Sequence, residues 1–156
     1  LQPTDLIETA RGLVNLNQEN PTQANLNRAQ STAYYAMFHA LCLNCADTWV
    51  GSTESDRNQP AWQQIYRAPN HKITKSKCRN SKMSQFPKSI QDFAGKFVDL
   101  QEKRHEADYD PLCKLDRSDV LIDIANAETA IRNLQDSDLR NRTAFAVWVT
   151  MNNRTS

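Results

Sequence analysis

With 156 residues the chain suits one domain that buries roughly two thirds of its unfolded surface around a single core, and it is short for two. Only three glycines (Gly12, Gly51, Gly95) punctuate it, and no alternating β-branched run is bounded by hairpin turn pairs. Helix is therefore the default, and no apolar run approaches the roughly 20 residues that span a bilayer. The net charge of +1 hides an uneven distribution: from Arg57 to Gln91 there are eight Lys or Arg and no Asp or Glu, against 11 basic and 18 acidic residues elsewhere.

The expected fold is all-α, a single domain over residues 1–156 built as an antiparallel bundle of about five or six helices around one long central helix. Thr4 reads as the N-cap of a first helix to about Asn17, with Leu6, Ile7, Ala10, Leu13 and Val14 at helical spacing. Pro21 at the first helical position opens a second pattern that runs to about Val50, on the order of 40 Å long. From Ser31 onward it is apolar on more than one face, with Tyr34, Phe38, Leu41 and Cys45 on one stripe and Tyr35, His39 and Cys42 beside it. Such a helix belongs in the middle of a bundle.

A polar loop from Gly51 to Gln59 leads to a short helix from Pro60, carrying Trp62, Ile65 and Tyr66 and ended by Pro69. Residues 70–86 form a basic, weakly patterned connection with room for a short helix. Pro87 opens an amphipathic helix whose buried stripe is Ile90, Phe93, Ala94, Phe97 and Leu100, closed by Pro111 at the latest. Ser118 reads as the cap of the next helix, through about Leu134, with Val120, Ile124, Ala127 and Ile131 inward. Ser137 reads as the cap of a last one containing Phe145, Val147 and Trp148.

Cys42, Cys45, Cys78 and Cys113 could make two disulfides or an all-cysteine zinc site. Two of them sit inside an apolar helical pattern and two are isolated, so core thiols are the favoured reading and no metal or cofactor is expected. The opening residues show no basic-then-apolar leader, which points to the cytoplasm; they begin on Leu1, which leaves room for residues ahead of it.

Two groups break the pattern of a plain bundle. Steps of three and four from Ile90 through Phe97 and Gln101 carry the buried face on to Arg104 and Asp108, a pair that is either a structural ion pair or a working site. On the long helix, Arg28, Thr32, Tyr35 and His39 share a face. The sharper expectation sets His39 and Tyr35 opposite Arg104 and Asp108; the plainer one gives His39 a neighbouring carboxylate or carbonyl. The basic stretch, with Lys72, Lys75, Lys77, Arg79 and Lys82, is either an electrostatic footprint for a phosphate-bearing partner or a solvated connection.

The string Arg28-Ala29-Gln30-Ser31-Thr32-Ala33-Tyr34-Tyr35-Ala36-Met37-Phe38-His39-Ala40-Leu41, followed by Arg104-His105-Glu106-Ala107-Asp108-Tyr109-Asp110, resembles HEPN domains, in particular the bacterial branch with YYAMFHA and R-x-x-A-D-Y. The resemblance covers about residues 20–135. It implies an antiparallel bundle, usually a homodimer, and in many members a metal-independent endoribonuclease of toxin–antitoxin, CRISPR-linked or anti-phage systems, often beside a nucleotidyltransferase-type partner. One departure weighs against cleavage: the family's catalytic Arg is followed after four to six residues by His, whereas Arg104 has Asp108, Tyr109 and Asp110 there. On the resemblance, Arg104 is the phosphate contact, His39 or His105 a candidate base, Asp108 and Tyr109 orienting groups, and Arg28, Tyr35 and the lysine-rich stretch the RNA-binding surface. The rival expectation is a non-catalytic interaction or ligand-binding subunit whose polar cluster is structural.

Overall fold

Residues 23–49 hold neither Gly nor Pro and only two β-branched side chains, Thr32 and Thr48, so nothing interrupts the helical hydrogen-bond ladder. In the structure, a computed structural model that describes residues 1–16 and 20–155, they form one helix of 27 residues. In chain order the helices are α1 (Pro3–Asn15), α2 (Gln23–Trp49), α3 (Gln59–Tyr66), α4 (His71–Arg79), α5 (Lys88–Tyr109), α6 (Arg117–Asp136) and α7 (Leu139–Thr150). A 3-10 turn, Ser81–Gln85, lies between α4 and α5, and no strand occurs among the described residues.

Helix α2 packs against α1, α3, α5, α6 and α7, and α4 lies across α5 and α7. Ala29, Ala33, Ala36, Ala40 and Ala46 are all buried, and these small side chains let neighbouring helices approach α2 from several directions. Tyr34, Met37 and Leu41 fill the space between them and are wholly enclosed. The expected stripe of α5 is buried throughout, and Phe93 meets Phe97 and Phe145 at 6.4 and 5.9 Å between ring centroids. Val120, Ile124, Ala127 and Ile131 of α6 are likewise inside.

The all-α expectation holds, with more elements than expected. The seventh helix is α4: the basic connection folds because Asn70 caps it, its carboxamide oxygen accepting from the Lys72 and Ile73 N–H groups. Other helix starts move by a few residues. Thr4 lies inside α1, where Asp5 accepts from the Gln2 N–H; α1 ends at Asn15, and Asn17 lies outside the described residues. Pro21 precedes α2, whose cap is Thr22. Asp116 and Asp138 take the cap positions expected of Ser118 and Ser137, each carboxylate preceding the helix where the backbone dipole favours negative charge. In α7, Phe145 and Val149 are buried and Val147 is exposed. No helix of the described residues is long and apolar enough to cross a membrane.

One carboxylate is carried deep into the bundle. Asp123 of α6 accepts from Lys103 Nζ at 3.0 Å on both oxygens and from Gln30 Nε2 at 3.2 Å, which joins α2, α5 and α6. Gln30 is itself buried, so removing the acid strands a buried amide donor. Asp123→Ala is expected to cost about 2 kcal/mol, discounted because Lys103 is partly exposed and can return to water. Urea denaturation reads this as a lower midpoint at unchanged slope, with Asp123→Asn losing less because it keeps the Gln30 contact.

Candidate functional site

Tyr34 sits on the inward face of α2 with none of its surface exposed, yet it carries a hydroxyl that needs a partner there. The partner is His71, the first residue of α4, whose Nδ1 lies 2.6 Å from the Tyr34 oxygen. Three further contacts fix His71. Its ring stacks on Phe38 at 3.9 Å between centroids, its edge meets Tyr35 at 6.0 Å, and its carbonyl accepts from Gln101 Nε2 at 3.1 Å.

Arg104 reaches the same two tyrosines from α5. Its guanidinium carbon lies 5.3 Å from the Tyr34 ring centroid and 5.7 Å from that of Tyr35, with the side chain only 15% exposed. Nη1 donates to Asp108 at 3.4 Å, and the other oxygen of Asp108 accepts from Ser31 Oγ at 2.7 Å. Arg104 Nε is buried and has no partner among the described residues; Thr74 Oγ1 and Gln101 Oε1, on the facing sides of α4 and α5, share that condition. Buried polar atoms without partners are uncommon; Asn27 Oδ1, Asn44 Oδ1 and Arg117 Nε are the others among the described residues, and water or a ligand can complete each.

The electrostatics follow from this packing. Burial pushes the Tyr34 phenol well above its ordinary range, opposed by the Arg104 charge, so the hydroxyl keeps its proton. Burial, then the Arg104 charge, then His39 hold the His71 imidazole below its usual value and therefore neutral near pH 7. A neutral imidazole beside a largely buried guanidinium can bind a phosphate oxygen or move a proton.

Of the expected residues, Arg104, Asp108 and Tyr35 come together here, with Arg28 exposed on the same helix and its carbonyl accepting from Thr32. His39 does not join them. Its Nδ1 lies 2.6 Å from the Tyr66 hydroxyl of α3, in an open cleft of about 610 Å³ that Leu43, Asp47, Arg57 and Trp62 help to line. There Trp62 donates to Asp47 at 2.9 Å and is covered by Arg57 at 3.9 Å. His105 and Tyr109 are exposed and pack on each other at 4.8 Å, outside the cluster. The histidine that meets Arg104's surroundings is His71, which the motif spacing did not single out. The signal that could have found it is Asn70 directly before it, a favoured capping residue that marks a helix start within the basic connection.

The basic stretch is a docked helix. Lys75 and Arg79 both reach Glu102 of α5, at 3.4 and 3.7 Å, and Lys77 lies 4.6 Å over the Trp148 ring. Lys72 and Lys82 are exposed and form no ion pair among the described residues. The footprint is thus narrower than the run of lysines implied.

His39, like His71, is held below its ordinary value, chiefly by burial. The unfolded chain therefore takes these protons first as pH falls. The stability that the two neutral rings contribute is complete above about pH 6.5 and is lost as pH drops through their lower folded values. Denaturation midpoints measured from about pH 8 to pH 5 should decline, and His71→Gln should flatten part of that decline; a midpoint constant over this window would contradict the assignment.

No family model matches the chain, and no curated protein or solved structure matches it.

Proposed function

We propose that this is a HEPN-like bacterial protein that binds RNA in a defence or toxin–antitoxin module, acting in the cytoplasm as a homodimer beside a nucleotidyltransferase-type antitoxin. The observation that carries the reading is the meeting of the two motif segments: Tyr34 and Tyr35 of the first enclose Arg104 of the second, leaving a buried Nε without a partner among the described residues. Arg104 is the phosphate contact. Tyr35, about one third exposed, offers a ring face on which a base can stack, and Lys72, Lys82 and Arg28 supply outlying positive charge. Metal-independent cleavage needs, besides the cation, a base that takes the 2′-hydroxyl proton; His39 is paired with Tyr66 and His105 packs on Tyr109.

The test is fluorescence anisotropy of labelled single-stranded RNA against salt. With about three phosphates contacted, affinity should fall about tenfold or more between roughly 50 and 200 mM salt, and Arg104→Ala should weaken binding while the helical fold is retained. Affinity indifferent to salt would remove the reading.

A second reading, a non-catalytic interaction or ligand-binding subunit, draws on Asp108, which pairs with Arg104 and is anchored by Ser31. On that reading the cluster is structural. Arg104→Ala then costs about 1–2 kcal/mol of stability, limited by the exposure of Asp108, and leaves RNA retention unchanged.

A further inference from the structure

We infer that His71 serves this site as a neutral hydrogen-bond donor, presenting Nε2–H to a phosphodiester oxygen beside Arg104, and that the site therefore holds RNA without cutting it. The inference rests on the RNA-binding reading and adds the role of one residue and the fate of the bound strand.

Tyr34 decides the tautomer. Its side chain is fully enclosed, and His71 Nδ1 is the one hydrogen-bond partner of its hydroxyl among the described residues. If Nδ1 carried the proton, it would donate to the phenol oxygen, and the Tyr34 O–H would be a buried donor with nowhere to go. That arrangement costs free energy that the alternative avoids. The Tyr34 O–H therefore donates to a bare Nδ1, and the single proton of the neutral ring sits on Nε2. Nε2 meets no protein partner among the described residues and is not enclosed, so its N–H opens to solvent. The His39–Tyr66 pair, with the same 2.6 Å contact, carries no such constraint: Tyr66 is half-buried and its hydroxyl can turn to water.

Both sides of the ring are then committed. Nε2 already bears a proton, and Nδ1 is occupied by the hydrogen of Tyr34, so neither nitrogen is open to take a proton from a 2′-hydroxyl. The surrounding charges agree: Arg104 from α5 and His39 from α2 both disfavour an imidazolium, and Asp108 is paired with Arg104 and held by Ser31. A neutral donor and a guanidinium that flank the same two tyrosine rings form a cradle for one anionic oxygen. Asp108 opposes an incoming anion, so Asp108→Asn should tighten binding.

The test uses the full chain. Imidazole ¹⁵N correlation spectra of the ligand-free protein at about pH 7.5 should show His71 protonated on Nε2 and bare at Nδ1, with Tyr34→Phe abolishing that preference. Labelled single-stranded RNA in EDTA should bind and remain intact. His71→Gln, whose amide can place an N–H where Nε2–H was but cannot act as a base, should retain binding, whereas His71→Leu of unchanged helix content should lose about tenfold. A spectrum with the proton on Nδ1 overturns the inference. So does cleavage to a 2′,3′-cyclic phosphate that disappears in His71→Gln, and in that case the RNA reading stands. An Nε2–H tautomer in a protein that binds no RNA removes the RNA reading, and with it the part of His71 in holding a phosphodiester.

Discussion

A phenol hydroxyl carried into the core on an otherwise apolar helix has to be satisfied there, and in this protein that requirement ties three helices together. Tyr34 lies at the centre of α2, enclosed by Phe38, Phe97 and its own neighbours, and among the described residues its oxygen is met by His71 of α4. Docking α4 to deliver His71 also places Thr74 and Cys78 inside and lays the basic face of that helix along α5 and α7. Without an acceptor at that point, Tyr34 would be a buried, unsatisfied donor, a cost of about 1–3 kcal/mol in a fold whose whole stability is of order 5–15 kcal/mol.

Other contacts between the helices show how a bundle treats polar groups that have no further task. Asp123, Lys103 and Gln30 satisfy one another, and Arg11 makes a two-point contact with Glu128 at 2.9 and 3.0 Å that joins α1 to α6. Along the α4–α5 seam the accounting is left open, with Arg104 Nε, Gln101 Oε1 and Thr74 Oγ1 unmatched. Asn27 Oδ1, Asn44 Oδ1 and Arg117 Nε are likewise unmatched elsewhere among the described residues, so what distinguishes the seam is the meeting there of an imidazole, a guanidinium and two tyrosines.

Two His–Tyr pairs flank α2 at the same distance, and only one is constrained by burial. The distinction between a ring that may choose its tautomer and one that may not comes from whether the tyrosine hydroxyl has access to water, a property of the surrounding packing rather than of either residue. It also separates two roles that a histidine beside an arginine can take toward phosphate: abstracting a proton, or donating one hydrogen bond without giving the proton up.

By itself the sequence determined the helical class, the long unbroken α2, the buried stripes of α5 and α6, and the inward drift of Arg104, because each follows from local spacing along one helix; Asp108, expected on the same face, is exposed because it lies in the last turn of α5. It also carried the motif resemblance, which lives in contiguous strings. Helix starts were misread by a few residues where two capping residues stood close together, as at Asp116 and Ser118, since propensity alone does not choose between them. What tertiary structure decided was partnership. His39 faces α3 and His71 faces Arg104's tyrosines because α3 packs on α2 while α4 lies across α5 and α7, and periodicity on α2 cannot say which neighbour covers which side. The pairing of Lys75 and Arg79 with Glu102 was hidden for the same reason: it joins two helices whose relative placement is set by the burial of Tyr34, Thr74 and the phenylalanines of α5, not by any charge in the basic run.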